Sequence, residues 1–265
     1  MIKIDIDLFI NASEEPLDNE IKTKIDKLNS LLHLNKGKKN KHQYQKKTVI
    51  NVSNKSLIKE CLNKITNETY DTHIETLINL INDYDDKKTI AEDILNICKY
   101  NIFYSELYSR LYYELIINKH LLIFKEILDN KKEEIINLYN NIEYIDAEIN
   151  YDKFCKNNKL NEMIRSETTF YSYLYMKTLI DDNFIVKLIF FLFDKIKTEE
   201  NDKNIFEYIE NIKIIMTITN EKIKQNDKFQ EIVSLLNKIK TKSEHFKHIK
   251  NKTLFKCMDI LDIIN

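Results

Sequence analysis

Apolar residues recur at helical spacing along most of this chain. Residues three or four positions apart share one side of an α-helix, so each such group predicts a helix with one buried face. The first faces are Tyr70, Ile74, Leu77, Ile78 and Ile81; Ile90, Ile94, Ile97 and Cys98; and Phe103, Leu107, Leu111 and Leu115. Later faces are Leu174, Met176 and Leu179; Phe206, Ile209 and Ile212; Ile232, Leu235, Leu236 and Ile239; and Leu254, Cys257, Met258 and Leu261.

Polar residues that favour helix ends separate these faces. They are Thr66 and Asn67, Asp85 and Asp86, Asn101, Ser166, Asn183, and Thr219 with Asn220. Their side-chain oxygens can accept the free N–H groups of a first helical turn, so we expect short sequential helices, about ten in all or five antiparallel pairs. One pair for roughly every 40 residues matches the period of HEAT-type α-solenoids, and a compact helical bundle is the structural alternative.

The N-terminal part differs in pattern. Residues 1–10 alternate apolar and polar positions, which predicts a strand; it is either a tail packed on the helices or a peptide that joins a partner's sheet edge. Residues 17–34 predict one helix, and residues 36–47 carry six lysines and no acid, which is typical of a linker. We therefore expect residues 1–52 to be a partly flexible N-terminal extension with a basic linker, and residues 53–265 to be the helical-repeat domain.

Composition supports an all-α fold. Gly and Pro occur once each, as Gly37 and Pro16, whereas sheet folds need many such residues in their turns and phosphate loops. Since 43% of residues are hydrophobic and 31% charged, the chain can bury a substantial core. The most apolar run, residues 184–193, is about half as long as a membrane span and predicts a buried core helix.

The four cysteines are Cys61, Cys98, Cys155 and Cys257, and no two form a Cys-x-x-Cys pair. No basic signal peptide precedes them, so we expect reduced thiols in the core of a cytoplasmic protein.

Catalytic motifs are missing from the sequence. It has no Gly-rich phosphate loop and no nucleophile elbow, and its six histidines lack metal-ligand spacing. We expect a non-enzyme without catalytic residues, metal or cofactor, although a helical active site assembled only in three dimensions is an open alternative.

RNA binding, if present, must rely on local basic patches, because the net charge is −1. The first patch is Lys36, Lys38, Lys39, Lys41, Lys46 and Lys47, with Tyr44 among them. Lysines neutralise phosphates and an aromatic ring stacks on a base, which suits single-stranded RNA; a solvated linker is the alternative. The second patch is Lys238, Lys240, Lys242, Lys247, Lys250 and Lys252.

Three segments share features with one known domain. Residues 58–66 read Ile-Lys-Glu-Cys-Leu-Asn-Lys-Ile-Thr, residues 101–105 read Asn-Ile-Phe-Tyr-Ser before Tyr108-Ser-Arg-Leu, and residues 255–263 read Phe-Lys-Cys-Met-Asp-Ile-Leu-Asp-Ile. In this order and spacing they resemble the middle domain of translation initiation factor 4 gamma, over residues 55–264. That family usually has Pro where Asn67 stands, and Arg-x-Arg where Lys252 and Leu254 stand.

The resemblance implies a cytoplasmic translation-initiation scaffold that holds a DEAD-box RNA helicase and single-stranded mRNA. One helicase lobe would contact Leu62, Asn63, Lys64 and Thr66, and the other would contact Phe255, Asp259 and Asp262. Leu62 and Phe255 suit the helical core equally well, and we expect both to lie there. Residues 44–50 are faintly similar to the motif by which such factors dock a cap-binding protein, with Val49 in place of Leu.

Two other functions fit the same sequence. Factors of mRNA decay, splicing and nuclear cap binding carry similar domains with other helicases. A generic helical adaptor that binds neither helicase nor RNA is the more distant alternative.

Overall fold

The computed structural model describes residues 20, 23–24 and 54–264. Within these residues the chain is all-α and contains no strand. The α-helices are α1 Asn54–Lys64, α2 Tyr70–Asn82, α3 Lys87–Lys99, α4 Ser105–Tyr113, α5 Leu122–Lys131, α6 Glu134–Asn140, α7 Tyr151–Met176, α8 Asp182–Thr198, α9 Asp202–Ile223, α10 Phe229–Lys240 and α11 Asn251–Ile264. Short 3₁₀ turns lie at Ile102–Tyr104 and Glu244–Phe246, and a π-turn at Glu114–Asn118 extends α4.

Most of the N-terminal segments for which the sequence predicts a structure lie outside the described residues. This holds for the strand-like residues 1–10 and for the lysine run of residues 36–47. Of the helix expected over residues 17–34, residues 20, 23 and 24 are described and helical, and Lys24 pairs with Glu20 at 2.8 Å. The described residues from 54 to 264 belong to one compact unit.

The hydrophobic periodicity identifies the buried face of several helices. All five apolar residues expected on α2 are buried. Helix α8 contains the most apolar run, and Leu188, Ile189 and Leu192 within it are fully buried, which confirms the core helix expected there. No helix in the described ranges has both the length and the apolar character needed to cross a membrane.

Two expected helix breaks are absent. Ser166 lies inside the 26-residue α7, and Thr219 and Asn220 lie inside the 22-residue α9. Each hydroxyl has another partner: Ser166 Oγ donates to the carbonyl of Lys99 at 3.0 Å, and Thr219 Oγ1 donates to the carbonyl of Ile215 at 2.8 Å. Because a buried hydroxyl can bond to a carbonyl without ending a helix, the capping interpretation was wrong here.

The main helix contacts join consecutive helices and helices two or three positions apart in the chain. Helices α4, α7, α9 and α11 lie side by side in that order, α8 packs on α9, and α10 packs on α11. Near the N-terminal end of the unit, α1 pairs with α2, and α3 pairs with α5. Helix α7 therefore sits in the middle, in contact with helices from both halves of the unit.

Helix α7 carries a seam of buried polar groups. The hydroxyls of Tyr139 and Thr168 lie 2.9 Å apart, and Thr168 also donates to Asn211 Oδ1 of α9 at 2.7 Å. Lys99 of α3 donates to Glu167 at 3.3 Å. Buried polar groups need partners, so these contacts fix α7 against its neighbours in one arrangement.

The cysteines depart from expectation at one position. All four are free thiols, and Cys61, Cys98 and Cys257 are buried, but Cys155 is exposed on the first turns of α7. Placing Cys155 in the core was wrong, because the N-terminal end of α7 presents mostly polar residues to solvent.

Candidate partner-docking surface

The loop that joins α1 to α2 is tied together by two threonines. Thr69 Oγ1 donates to the carbonyl of Lys64, the last residue of α1, at 2.7 Å. The Thr66 and Thr69 hydroxyl oxygens lie 3.0 Å apart, and each accepts the backbone N–H of the other residue, at 3.0 and 3.2 Å. This reciprocal bonding satisfies helix-terminal groups and gives Thr66 and Asn67 a fixed position.

The segment that joins α3 to α4 exposes large apolar side chains. Tyr100, Ile102 and Tyr104 are each about two-fifths exposed, and Phe103 is 92% exposed. The turn itself is ordered by hydrogen bonds, since Asn101 O accepts both the Tyr104 N–H at 3.2 Å and the Ser105 hydroxyl at 3.1 Å. A fixed turn therefore holds an almost fully exposed phenylalanine.

The two loops meet at one surface. Thr66, Asn67, Phe103 and Tyr104 line a depression of about 420 Å³. Tyr100, Ile102 and Phe103 line a second depression of about 460 Å³, against Met163 of α7. We call the group Thr66, Asn67, Tyr100, Ile102, Phe103 and Tyr104 the Phe103 surface.

Phe103 was expected in the core together with Leu107, Leu111 and Leu115, and that expectation was wrong. The three leucines are buried on α4 and on the π-turn that extends it, whereas Phe103 precedes this helix in a 3₁₀ turn. A 3₁₀ turn rotates each residue further than an α-helix does, so the helical spacing does not carry back to residue 103.

The base of the Phe103 surface is anchored in the core. Lys99 directly precedes the exposed segment, and its side chain, 4% exposed, pairs with Glu167, whose side chain is 0% exposed. The Lys99 carbonyl accepts the Ser166 hydroxyl, so α7 holds both the side chain and the backbone of this residue. Burial raises the pKa of the Glu167 carboxyl, and the charge and hydrogen bond of Lys99 oppose that rise.

A second exposed surface lies on the last helix. Phe255, Asp259 and Asp262 are four and three positions apart, so they share one side of α11, and we call them the α11 face. Phe255 is 62% exposed, which corrects its expected place in the core. Asp259 accepts a hydrogen bond from Lys213 of α9 at 2.9 Å, and this contact lowers the pKa of the Asp259 carboxyl.

The remaining residues assigned to helicase contact fall into two groups. Leu62 is 0% exposed and cannot offer its side chain to a partner. Its assignment as a helicase contact is therefore corrected: Leu62 is a core residue, which was the other place expected for it. Asn63 and Lys64 are exposed, and Lys64 pairs with Glu60 at 2.6 Å on the same helix. This hydrogen bond raises the pKa of Lys64 and lowers that of Glu60.

Of the two basic patches, only the second lies within the residues that the structure describes. Lys36, Lys38, Lys39, Lys41, Tyr44, Lys46 and Lys47 lie outside the described residues, as do Val49 and Ile50 of the cap-binding resemblance. All six lysines of the second patch are exposed. Within the part of the chain from residue 54 to 264, no grouping of His, Cys, Asp and Glu suited to a metal ion occurs.

No protein-family model matches the chain, and no curated protein matches it.

Proposed function

We propose that this chain is a non-enzymatic scaffold of the initiation factor 4 gamma middle-domain type, which binds a DEAD-box RNA helicase and mRNA. The observation that carries the proposal is Phe103, which is 92% exposed yet held on an ordered turn beside Thr66. A large aromatic side chain on a fixed support is the kind of residue that dominates protein interfaces.

The order of helix packing supports a solenoid. Helices α4, α7, α9 and α11 form one row in chain order, and α8 and α10 cover part of it. In helical-repeat proteins each hairpin stacks on the next, so a HEAT-type arrangement is the architecture that we propose.

Two separate contact surfaces support a partner with two lobes. The Phe103 surface belongs to the N-terminal half of the helical unit, and the α11 face belongs to its last helix. In this proposal one helicase lobe contacts the Phe103 surface with Asn63 and Lys64, and the other contacts the α11 face. The scaffold would hold the lobes in a productive arrangement, and the helicase would hydrolyse ATP.

The remaining parts of the proposal rest on the sequence. The lysine run of residues 36–47 binds the mRNA backbone through counterion release. Residues 44–50 dock a cap-binding protein, and the site of action is the cytoplasm.

The function is tested by ATP hydrolysis. The whole chain is added to an initiation-type DEAD-box helicase with single-stranded RNA, and the ATPase rate is compared with that of the helicase alone. We expect stimulation by the unmodified chain, and loss of most of it in Phe103→Ala and in the double variant Asn63→Ala/Asp259→Lys. Leu122→Ala is the matched control, because Leu122 is an apolar side chain 71% exposed outside both surfaces.

Absence of stimulation by the unmodified chain would contradict the helicase proposal. An equal loss of stimulation in Leu122→Ala would contradict a specific role of the Phe103 surface in helicase binding. Circular dichroism and thermal unfolding of each variant show whether the fold is kept.

A further inference from the structure

A cavity of about 450 Å³ is lined by none of the residues proposed to contact the helicase. Its wall is built from four parts of the chain: the segment before α7, the first half of α7, the first turn and a half of α9, and the residues around the start of α11. The lining includes Tyr144, Asn161, Lys203, Asn204, Phe206 and Lys252. Its volume is within the range of small-molecule sites and is ample for one nucleobase with its sugar.

Two buried amides in this wall have an unused acceptor. Asn161 is 6% exposed and Asn204 is 9% exposed, and the Oδ1 atom of each is buried without a hydrogen-bond partner. Asn204 uses its other amide atom, since Nδ2 donates to Glu199 at 3.0 Å. Unsatisfied buried acceptors are costly, and a ligand that donates N–H or O–H groups removes this cost.

The aromatic residues of the wall sit beside lysines. Lys203 Nζ lies 3.5 Å from the centre of the Tyr144 ring, and Lys252 Nζ lies 4.2 Å from the centre of the Phe206 ring. Neither lysine pairs with a carboxylate among the residues described from 54 to 264. Each ammonium is therefore free to exchange its contact with a ring for one with a phosphate.

Two of the carboxylates that line the cavity already have a partner within the protein. Glu207 is held by an ion pair with Arg165. Asp202 accepts the backbone N–H of Lys250 at 2.6 Å. Glu207 and Asp202 therefore compete little with a phosphate for the lysines, and Glu143 is the remaining carboxylate of the wall.

The cavity opens at the end of a basic segment. The second lysine patch, residues 238–252, has six exposed lysines and one acid, Glu244, and its last members Lys250 and Lys252 line the cavity. None of the six forms an ion pair within the described helical unit. A run of unpaired lysines that ends at a cavity with aromatic walls suits an extended polyanion that carries bases.

We propose that this cavity binds one base of a single-stranded RNA whose phosphates lie along the lysines of residues 238–252. Asn161 and Asn204 accept hydrogen bonds from the base, and the Tyr144 and Phe206 rings form the apolar wall. The terminal torsion of asparagine is soft, so Asn161 can turn its oxygen toward the base at small cost, whereas Asn204 turns only with loss of its hydrogen bond to Glu199. The inference rests on the RNA-binding part of the proposed function and is independent of helicase docking.

The test uses the whole chain and a short oligoadenylate that contains fluorescent 2-aminopurine, a base whose emission changes when its stacking changes. Fluorescence anisotropy gives the affinity, and the 2-aminopurine emission reports entry of a base into the cavity. We expect Lys203→Glu to weaken binding about tenfold at low salt. The matched control is Lys88→Glu, an exposed lysine of α3 outside the cavity, and we expect it to bind as the unmodified chain does.

Asn161→Leu removes one buried acceptor and adds no charge. We expect it to abolish the change in 2-aminopurine emission. If this variant does not fold, as judged by circular dichroism, the RNA affinity of the surface variant Lys203→Glu decides whether the cavity takes part in binding.

Four results would overturn the inference. One is equal affinity of Lys203→Glu and Lys88→Glu, and another is an unchanged 2-aminopurine response in folded Asn161→Leu. If binding is instead lost only when the lysines of residues 36–47 are replaced by serine, the cavity is excluded and RNA binding by the proposed scaffold stands. If the unmodified chain does not bind RNA at all, the cavity and the RNA part of the proposed function both fail.

Discussion

Lys99 donates a hydrogen bond to Glu167 across 3.3 Å inside the helical core, and the two side chains are 4% and 0% exposed. Lys99 ends α3 and directly precedes the exposed residues 100–104, whereas Glu167 lies in the middle of α7. The ion pair therefore joins the central helix to the base of the Phe103 surface. Its position links the stability of the core to the placement of the proposed docking residues.

Removing one partner of this pair should be strongly destabilising. Lys99→Met leaves the Glu167 carboxylate buried without its cation, and we expect a loss of about 3–5 kcal/mol in the free energy of unfolding. The double variant Lys99→Met/Glu167→Leu should recover most of that loss, because it leaves no buried charge. Urea denaturation of the single and double variants measures both effects.

An exposed ion pair gives the matched control. Lys187 and Glu133 lie 2.6 Å apart, with side chains 55% and 50% exposed. We expect Lys187→Met to change the free energy of unfolding by less than about 1 kcal/mol, since water screens this pair. A Lys99→Met variant as stable as Lys187→Met would contradict the buried ion pair.

The raised pKa of Glu167 predicts a pH dependence. Burial lifts the pKa of this carboxyl above its unfolded value, so the folded state binds the proton more tightly than the unfolded state does. The stability that Glu167 contributes is thus complete below the unfolded pKa and falls as pH rises through the folded pKa. The difference in unfolding free energy between the unmodified chain and Glu167→Gln should decline as pH rises above about 4, and it should level off once the pH passes the folded pKa of Glu167.

Urea denaturation at several pH values measures this difference. Subtracting the Glu167→Gln curve removes the titration of every other carboxyl, because those groups are common to both chains. A difference that grows with pH would show that the pKa of Glu167 is lowered in the folded state.

The cysteines should differ in reactivity. Cys155 is exposed, whereas Cys61, Cys98 and Cys257 are buried, and burial raises the pKa of each of those three thiols. A thiol reacts as the thiolate, so we expect Cys155 alone to react rapidly with a maleimide in the native protein and all four to react in denaturant. Mass spectrometry of the labelled protein checks this, with Cys155→Ser as the control that should take up no rapid label.

The helical class and much of the core could be predicted from the sequence. Residues such as Ile74, Leu77 and Ile81 repeat with helical period because one side of α2 is buried, and the pattern records that burial directly. The single Gly and the single Pro argued against sheet folds for a reason that depends only on turn geometry. These are local properties, and local properties are readable from one sequence.

Other features depend on contacts between distant segments. Ser166 resembles a helix cap, but its hydroxyl bonds to Lys99 of another helix, so α7 continues through it. Phe103 fits a helical face in spacing, but a 3₁₀ turn displaces it to the surface. The buried amides Asn161 and Asn204 belong to separate helices, and no spacing rule brings them into one cavity wall.

The proposed binding of the helicase to the Phe103 surface can be measured by isothermal titration calorimetry. An initiation-type DEAD-box helicase is titrated into the unmodified chain, into Phe103→Ala and into Leu122→Ala, each shown to be folded by its thermal unfolding. We predict that Phe103→Ala weakens binding by about 2 kcal/mol or more, roughly thirtyfold in Kd, and that Leu122→Ala binds as tightly as the unmodified chain. A Phe103→Ala variant that binds with the affinity of the Leu122→Ala control would contradict the claim.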